Sequence, residues 1–351
     1  HLILSNIFPT FNQMKKLLPL LLLILIGCSK EPINMDEWLV ERDDSLYYHQ
    51  FTNKKYSGPF FELYNGKIYV EGTLRNGQIH GIYNSYEYHE NGEQWIINQK
   101  TYRNGVIILE KDFYDNGDIF SIKKFDNEGY ENGTWNEYHL DGSISWEYSF
   151  RNGTPVGPEK SFYENGELHF YGVWKDGKKT GNWDEYSPDG EIIYRTEYYG
   201  DSKDKGPIKN GRREGIWEKY YGSELTSKGP YKNGRREGIW EEYDSEGKLS
   251  KGPYNGFRKE GIWEEYDSEG KLTSKGPYKK NYKEGIWEVY YSDGKLKSKG
   301  LYKNDYKEGI WEEYDSEGKL SKGPYHEYGF RKEGIWEYYD KNGILIETKT
   351  H

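Results

Sequence analysis

The sequence predicts an all-β protein in which about twelve hairpin repeats form one elongated, curved antiparallel β-meander. Three observations lead to this fold class. A Gly-x-Trp-x-x-Tyr signature returns about every 23 to 25 residues, and each repeat contains two turn signals. No stretch of about ten residues after Cys28 shows helical periodicity, apart from a short turn at Met35 to Glu41. Two turns in each repeat indicate two short strands rather than a strand and a helix.

The repeats divide the chain into an older and a more recent block. The segment Gly238 to Tyr254 recurs unchanged at Gly309 to Tyr325, whereas upstream copies have diverged. We therefore assign upstream residues and a signal peptide to 1–27, a tether and leading segment to 28–46, diverged repeats to 47–198, an insertion to 199–209 and near-identical repeats to 210–351.

Aromatic residues must replace a conventional core. Hydrophobic residues make up 34% of the chain and charged residues 31%, but Tyr contributes 36 residues and Trp 12. Such rings can cover a sheet while their polar atoms stay in water. A single repeat buries too little surface to offset its loss of conformational entropy, so stability must come from stacked repeats. The net charge of −10 argues against a nucleic-acid partner.

The turns and charges support hairpin pairing. Asn-Gly and Asp-Gly pairs favour type I′ turns. They occur at Asn165-Gly166, Asp189-Gly190, Asn210-Gly211, Asn233-Gly234, Asp293-Gly294 and Asn342-Gly343. The first strand of a repeat is acidic, as at Glu241 and Glu242, and the second is basic, as at Lys248 and Lys251, so opposite charges should face each other across strands. We interpret these paired glutamates as a charge ladder rather than as catalytic carboxylates.

Two features of the repeat predict irregular strands. Trp240 and Tyr243 are three residues apart, so either both sheet faces carry aromatic rings or a bulge intervenes. The Gly-Pro pairs, as at Gly252-Pro253, lack a backbone donor and predict a bend or bulge in the second strand.

The single cysteine of the chain follows a basic and then an apolar segment that begins at Met14. Leu25-Ile26-Gly27-Cys28 resembles the lipobox of bacterial lipoproteins, which implies cleavage before Cys28 and its lipidation. The alternative is an ordinary signal peptide. We expect a lipid-anchored protein of the bacterial cell envelope, at the outer membrane or facing the periplasm, with the cell surface as the alternative, and with the membrane as a partner through this lipid.

The repeats resemble the MORN-variant units of bacterial antitoxins of the YwqK type. The resemblance rests on the Gly-x-Trp-x-x-Tyr start, the Gly-Lys-Leu hairpin and the exit Tyr231 to Gly238, and it covers essentially all of the mature chain. It implies an elongated meander sheet and a toxin as the protein partner. The stretch Leu39 to Gly58 is similar to the leading strand that opens such arrays.

The candidate binding surface is the aromatic ladder. It comprises Trp217, Trp240, Trp263, Trp287, Trp311, Trp336, Tyr221, Tyr291 and Tyr338. The alternative for the tryptophans is packing within the sheet. The histidines fall at different repeat phases, and no nucleophile motif or metal spacing occurs, so we expect no catalytic residue, metal or cofactor.

Three functional hypotheses follow. The first is a scaffold that binds a protein partner, as an antitoxin or immunity component of a toxin–antitoxin pair. The second is a cell-wall or glycan-binding module, because aromatic hairpin repeats also occur in choline- and glucan-binding arrays. The third, an enzyme on the outer leaflet, lacks a nucleophile or metal set in the sequence. Repetition supplies the same surface many times, which suits binding.

Overall fold

The computed structural model describes residues 30–326 and 328–351. The chain forms two compact units, one up to Pro155 and one from Val156 to His351. The predicted lipidation site Cys28 and the signal peptide lie outside the described residues. Within the described part of the chain, no helix is long and apolar enough to cross a membrane.

The first unit is an antiparallel meander that a short leading segment opens. Its elements are β1 (Ile33–Asn34), α1 (Met35–Trp38), β2 (Leu39–Glu41), β3 (Tyr47–His49), β4 (Gly58–Tyr64), β5 (Lys67–Arg75), β6 (Gln78–Ile79), β7 (Gly81–Tyr88), β8 (Gln94–Arg103), β9 (Val106–Phe113), β10 (Ile119–Lys124), β11 (Gly133–Tyr138), β12 (Ile144–Arg151) and β13 (Thr154–Pro155). Strand β1 pairs in parallel with β4, β2 pairs with β3, and the later strands pair with their sequence neighbours.

The leading segment closes the first end of this meander with apolar side chains. Met35 and Leu39 from the helix region pack with Phe60 and Leu74 of the first hairpin. Asn34 caps the helix, because its side chain accepts a hydrogen bond from the Asp36 amide. The expected turn after Met35 is therefore a single helical turn that covers the terminal repeat, as end units of repeat arrays require.

The second unit is also an antiparallel meander. Its strands are β14 (Gly157–Phe162), β15 (Leu168–Lys175), β16 (Lys178–Tyr186), β17 (Ile192–Tyr199), β18 (Ser202–Lys209), β19 (Arg212–Arg213), β20 (Gly215–Tyr221), β21 (Glu224–Lys232), β22 (Arg235–Tyr243), β23 (Leu249–Gly256), β24 (Arg258–Lys259), β25 (Gly261–Tyr266), β26 (Leu272–Lys279), β27 (Tyr282–Lys283), β28 (Gly285–Tyr290), β29 (Leu296–Lys303), β30 (Tyr306–Tyr314), β31 (Leu320–Tyr325), β32 (Ile335–Tyr339) and β33 (Leu345–Thr350). The predicted all-β meander of hairpins is confirmed in both units.

Two kinds of turn recur between the strands. Asn233 and Gly234 both have positive φ, 52° and 79°, which confirms the type I′ turn predicted there, and Asn210-Gly211 behaves alike. The type I′ prediction is wrong at Asp293, Asn342, Asp189 and Asn165, because only the glycine of each pair has positive φ.

The second kind of turn is longer than type I′, and in several copies an aspartate at its start caps it. In the turn at Asp244, the carboxylate accepts hydrogen bonds from the amides of Glu246 and Lys248, both at 2.9 Å. The Gly247 amide donates to the Asp244 carbonyl. This side-chain cap fixes a wider loop with one left-handed glycine at its end.

A single residue decides whether the second strand of a repeat carries a bulge. The register shifts opposite Tyr266, where Leu272 is followed by Thr273 and Ser274, but it does not shift opposite Tyr243, where Leu249 is followed directly by Ser250. The Thr273 hydroxyl donates to the Glu265 carbonyl at 2.9 Å. The extra residue is therefore accommodated as a bulge, which keeps the rest of the strand in register.

The predicted insertion at 199–209 contributes a complete strand, β18, and this lone strand exchanges the two faces of the sheet. Trp183 lies opposite Thr196, which lies opposite Lys205. Lys205 in turn lies opposite Glu218. Residues directly opposite share a face, whereas Glu218 and its neighbour Trp217 point to different faces. Trp183 and Trp217 therefore lie on opposite faces of the second unit.

The exchange follows from strand direction. A repeat has two full-length strands, because a two-residue segment such as β24 continues directly into the strand that follows it. One extra strand therefore reverses the direction of every later strand. A chiral repeat that continues along the sheet with reversed strands must be rotated by half a turn about the direction of growth. That rotation exchanges faces and turn edges together.

Candidate functional site

The six tryptophans of the predicted ladder are the most deeply buried large side chains of the second unit. Their exposed fractions lie between 0% and 2%. They occupy one sheet face from β20 onward, which we call the aromatic face. We call the opposite face, which carries the residue before each tryptophan, the isoleucine face. The tryptophans are covered by other side chains. They therefore pack within the sheet, which was the alternative to a role in the binding surface.

Each tryptophan fits because a glycine lies beneath it. Trp263 lies over Gly252, where a Cβ would come within 3.0 Å of the indole ring. The indole Nε1–H donates to the carbonyl of Pro253 at 3.0 Å. The Gly-Pro pair thus provides space and an acceptor. Backbone pairing with the following strands is interrupted at this pair. Lys251 pairs with β25 and Tyr254 pairs with β24, but Gly252 and Pro253 pair with neither. The predicted irregularity is confirmed.

The same arrangement recurs along the array. The indole Nε1–H bonds are 2.9 to 3.1 Å long and join Trp217, Trp240, Trp263, Trp287, Trp311 and Trp336 to the carbonyls of Pro207, Pro230, Pro253, Pro277, Leu301 and Pro324. The glycines beneath are Gly206, Gly229, Gly252, Gly276, Gly300 and Gly323.

Tyrosines link the tryptophans into a continuous ring series. Tyr254 packs edge to face against Trp240 at 6.0 Å and against Trp263 at 5.4 Å. Alternation of Trp and Tyr continues from Trp217 to Trp336 with centroid distances of 5.1 to 6.2 Å. Edge-to-face pairs of this kind contribute about 0.5 to 1.5 kcal/mol each beyond their burial. The expected packing of each ring against both neighbouring repeats is thereby confirmed.

A basic residue four positions before each tryptophan caps its ring, and our sequence analysis missed it. The distances from cation to ring centroid are 3.7 to 4.2 Å for Arg213, Arg236, Lys259, Lys283, Lys307 and Lys332. The regular interval from a basic residue to Trp was the available signal. Partly desolvated cation–π pairs stabilise by about 0.5 to 2 kcal/mol.

Carboxylates complete the aromatic face. The Glu242 carboxylate pairs with the Lys259 ammonium at 2.8 Å and accepts a hydrogen bond from the Tyr254 hydroxyl at 2.7 Å. Burial and this hydrogen bond raise the pKa of Tyr254 above its usual range. Where the set is complete, as around Trp263, the ring contact is enclosed by a cation, a carboxylate and a phenol whose polar groups are mutually satisfied. Where this set is complete, the aromatic face is closed to ring-stacking ligands.

The three predicted tyrosines occupy different settings. Tyr221 is 63% exposed at the end of β20. Tyr291 is partly buried and donates to the Tyr314 carbonyl at 2.6 Å. Tyr338 takes the aromatic-face position that Glu313 holds one repeat earlier, and its hydroxyl is 2.9 Å from His351 Nε2. Tyr291 and Tyr338 line one pocket of about 590 Å³, whereas Tyr221 does not.

The isoleucine face presents an exposed apolar row. One isoleucine from each repeat is 50% to 64% exposed, namely Ile216, Ile239, Ile262, Ile286, Ile310 and Ile335. Ile239 lies opposite Pro253, and Ile262 lies opposite Pro277. Neighbouring isoleucines are separated by two strand spacings, or about 10 Å.

Paired charges flank this row. Glu241 pairs with Lys251 at 3.3 Å, and Tyr243 donates to the same carboxylate at 3.0 Å. The predicted alternation of acidic and basic strands is confirmed by the register. Tyr243 and Trp240 lie on opposite faces, so both faces carry aromatic rings. In the next repeat, the hydrogen bond to Glu264 and burial raise the pKa of Tyr266 to about 12.

Metal ligation finds no support in the described part of the chain. Across residues 30–326 and 328–351, no group of three or more His, Cys, Asp or Glu side chains is arranged to hold a metal ion. The arrangement supplies repeated contact surfaces rather than converging reactive groups.

Comparison with known proteins identifies the repeats. Segments 155–176, 236–255, 259–280, 283–304, 307–326 and 332–351 match the family described as MORN repeat variant. No curated protein matches the chain. The matched segment 259–280 starts at the cation that caps Trp263 and includes Tyr278, so it corresponds to one period of the ring series. The six matched segments, five of which are periods of this ring series, and the hairpin meander that carries them support the assignment of this chain as a MORN-repeat protein.

Proposed function

We propose that this protein is a non-catalytic scaffold that binds one protein partner through its isoleucine face. The observation that supports this most is the exposed isoleucine row, because its apolar side chains are flanked by charged pairs. An apolar centre with a polar rim is typical of protein–protein interfaces.

The dimensions of the row suit such a partner. A repeat covers about 10 Å along the sheet and about 20 Å along its strands, or roughly 200 Å². Four repeats then offer about 800 Å², which is the area each side contributes to a standard interface. Weak contacts from several identical repeats add up without a single deep pocket. A glycan ligand is less well supported, since it needs exposed ring faces and the six tryptophans are buried.

We further propose that lipidated Cys28 anchors this scaffold to a membrane of the cell envelope, and that its partner is a toxin, which the scaffold neutralises. The motif before Cys28 and the likeness of the repeats to antitoxin arrays support these two points. Cys28→Ala should move the protein from the membrane fraction to the soluble fraction. Unchanged fractionation of this variant would remove the anchor from the proposal.

Site-specific photo-crosslinking in intact cells tests the binding face. A benzophenone amino acid at Ile262 should cross-link one dominant protein, whereas the same probe at Glu269, in an exposed turn, should not. With that partner purified, Ile262→Glu together with Ile286→Glu should weaken binding at least tenfold, because charges would enter the apolar centre. Glu269→Gln serves as the control. Equal binding by both variants would contradict the proposal.

A further inference from the structure

One repeat lacks the carboxylate that its neighbours place on the aromatic face. The cation that caps a tryptophan normally pairs with a glutamate of the preceding repeat. Lys259 reaches Glu242 at 2.8 Å, and Lys283 reaches Glu265 at 3.1 Å. The matching position before Lys307 is Val289.

Without that glutamate, Lys307 shares the carboxylate of its own repeat. Lys307 lies 3.6 Å from Glu313, which Lys332 already approaches to 3.0 Å. Glu313 also accepts the Tyr325 hydroxyl at 2.6 Å. One carboxylate therefore serves two ammonium groups. Burial, together with the nearby charges of Lys332 and Lys297, lowers the pKa of Lys307.

A third lysine joins this cluster from the bulge of the same repeat. Lys297 occupies the extra position that Thr273 holds elsewhere, and its ammonium lies 5.5 Å from the Tyr291 ring centroid. No carboxylate of the described residues lies within ion-pair distance of Lys297. Two other repeats also lack the glutamate: at the position that matches Val289 they carry Lys219, whose side chain is exposed, and Tyr338.

These lysines line the pocket of about 590 Å³ mentioned above. Tyr291 and Tyr338 form parts of its wall, and its charged lining consists of three lysines and three carboxylates, namely Lys297, Lys307, Lys319, Glu313, Asp315 and Glu347. This volume lies within the range of small-ligand sites. Val289 lies directly opposite Ser298, which also lines the pocket. Glu242 is likewise shared by Arg236 and Lys259, but among the described repeats only this one combines a shared glutamate with Val289 and with a lysine in the bulge.

We infer that this pocket binds a carboxylate group, which pairs with Lys307 and Lys297 where other repeats carry a glutamate. Charge-assisted hydrogen bonds to two ammonium groups stabilise such an anion, and the tyrosine walls accommodate an attached apolar or ring portion. The site lies on the aromatic face and is independent of partner binding by the isoleucine face. The carboxylate belongs either to a small acidic molecule or to an acidic side chain of a polypeptide.

Lysine-selective ¹³C NMR of the full chain tests the inference. Titration with benzoate, glucuronate or a blocked Ala-Glu-Ala peptide should shift the Lys307 Cε resonance saturably, and a Lys307→Arg variant assigns that resonance. Lys283, which has its own glutamate, should not shift. Tighter binding of benzoate or glucuronate than of the peptide identifies a small acidic ligand, and the reverse order identifies a polypeptide side chain.

Substitution at position 289 supplies the decisive comparison. Val289→Glu restores the sequence of neighbouring repeats and should weaken binding of every probe at least tenfold, because its carboxylate occupies the site. Val289→Thr is nearly isosteric and neutral, so it should bind like the native chain. The inference fails if no probe gives a saturable shift, or if the Glu and Thr variants bind equally.

Discussion

Replacing Gly252 with alanine should destabilise the array through Trp263. The new Cβ would lie less than 3.0 Å from the indole, and that ring has no free space because Tyr254 and Tyr278 pack against its two sides. Overpacking of this kind costs about 1 to 3 kcal/mol. Displacement of the indole also weakens its hydrogen bond to Pro253, which contributes about 1 kcal/mol.

Alanine offsets part of this cost, since glycine in a strand is less favourable by about 0.5 to 1 kcal/mol. The expected net loss is therefore about 1 to 3.5 kcal/mol, which corresponds to a roughly 5- to 400-fold increase in local opening. Hydrogen exchange measured by mass spectrometry should show this increase in peptides from 249–266. Peptides from 81–113, in the first unit, should exchange as in the native chain.

A double-mutant cycle isolates the cause. Trp263→Ala alone should cost about 3 to 5 kcal/mol, because a large buried ring is lost. In that background Gly252→Ala should be neutral or slightly stabilising, since no indole opposes the added methyl group. If the alanine is equally harmful with and without Trp263, or harmless in the native chain, then close packing of the indole on the glycine does not explain the Gly-Pro pairs.

Two further predictions concern the isoleucine face and the bulges. The pKa of Tyr266 is raised to about 12, whereas the phenol of an unfolded chain titrates near 10. The neutral Tyr266 hydroxyl therefore contributes its full stabilisation below pH 10, and this contribution is lost as the pH rises towards 12. With Tyr266→Phe, the urea unfolding midpoint should therefore decrease less between pH 10 and pH 12 than it does in the native chain. An equal pH dependence of the midpoint for Tyr266→Phe and for the exposed control Tyr221→Phe would contradict this origin. Deletion of Thr273 should reproduce the bulge-free register of the Leu249–Ser250 repeat and lower the free energy of unfolding by about 1 kcal/mol or less. Deletion of Lys275 should lower it more, because the following residues would shift to the wrong faces of the sheet. Comparable losses of unfolding free energy in urea for the two deletions would refute this difference.

The repeat unit itself was predictable because its signals are local. Glycine turns, the alternation of acidic and basic strands and the interval between tryptophans each determine structure within about 25 residues. Four Asn-Gly and Asp-Gly turns were mispredicted because the pattern considered only two residues. At Asn342-Gly343, the carboxylate of Asp340 stabilises the wider loop from outside that pair, through the amides of Asn342 and Ile344.

Features that depend on two repeats at once were harder to predict. The cation at Lys259 caps Trp263 four residues later, but its carboxylate partner, Glu242, belongs to the preceding repeat. The pocket at Lys307 depends on a difference at Val289, which is meaningful only once the expected partner is known. The sequence also did not reveal that residues 199–209 form a strand, because β18 lacks the tryptophan signature.

The lone strand β18 gives the second unit a parity rule. Any duplication that copies whole repeats adds an even number of strands and leaves each tryptophan on its original side, so the array can lengthen without rebuilding either surface. A single added strand acts instead as an inversion: the side that carried packed rings up to β17 carries the isoleucines afterwards. Whether the number of full-length strands added after β18 is even or odd therefore determines which side of the sheet a newly gained repeat presents to its surroundings.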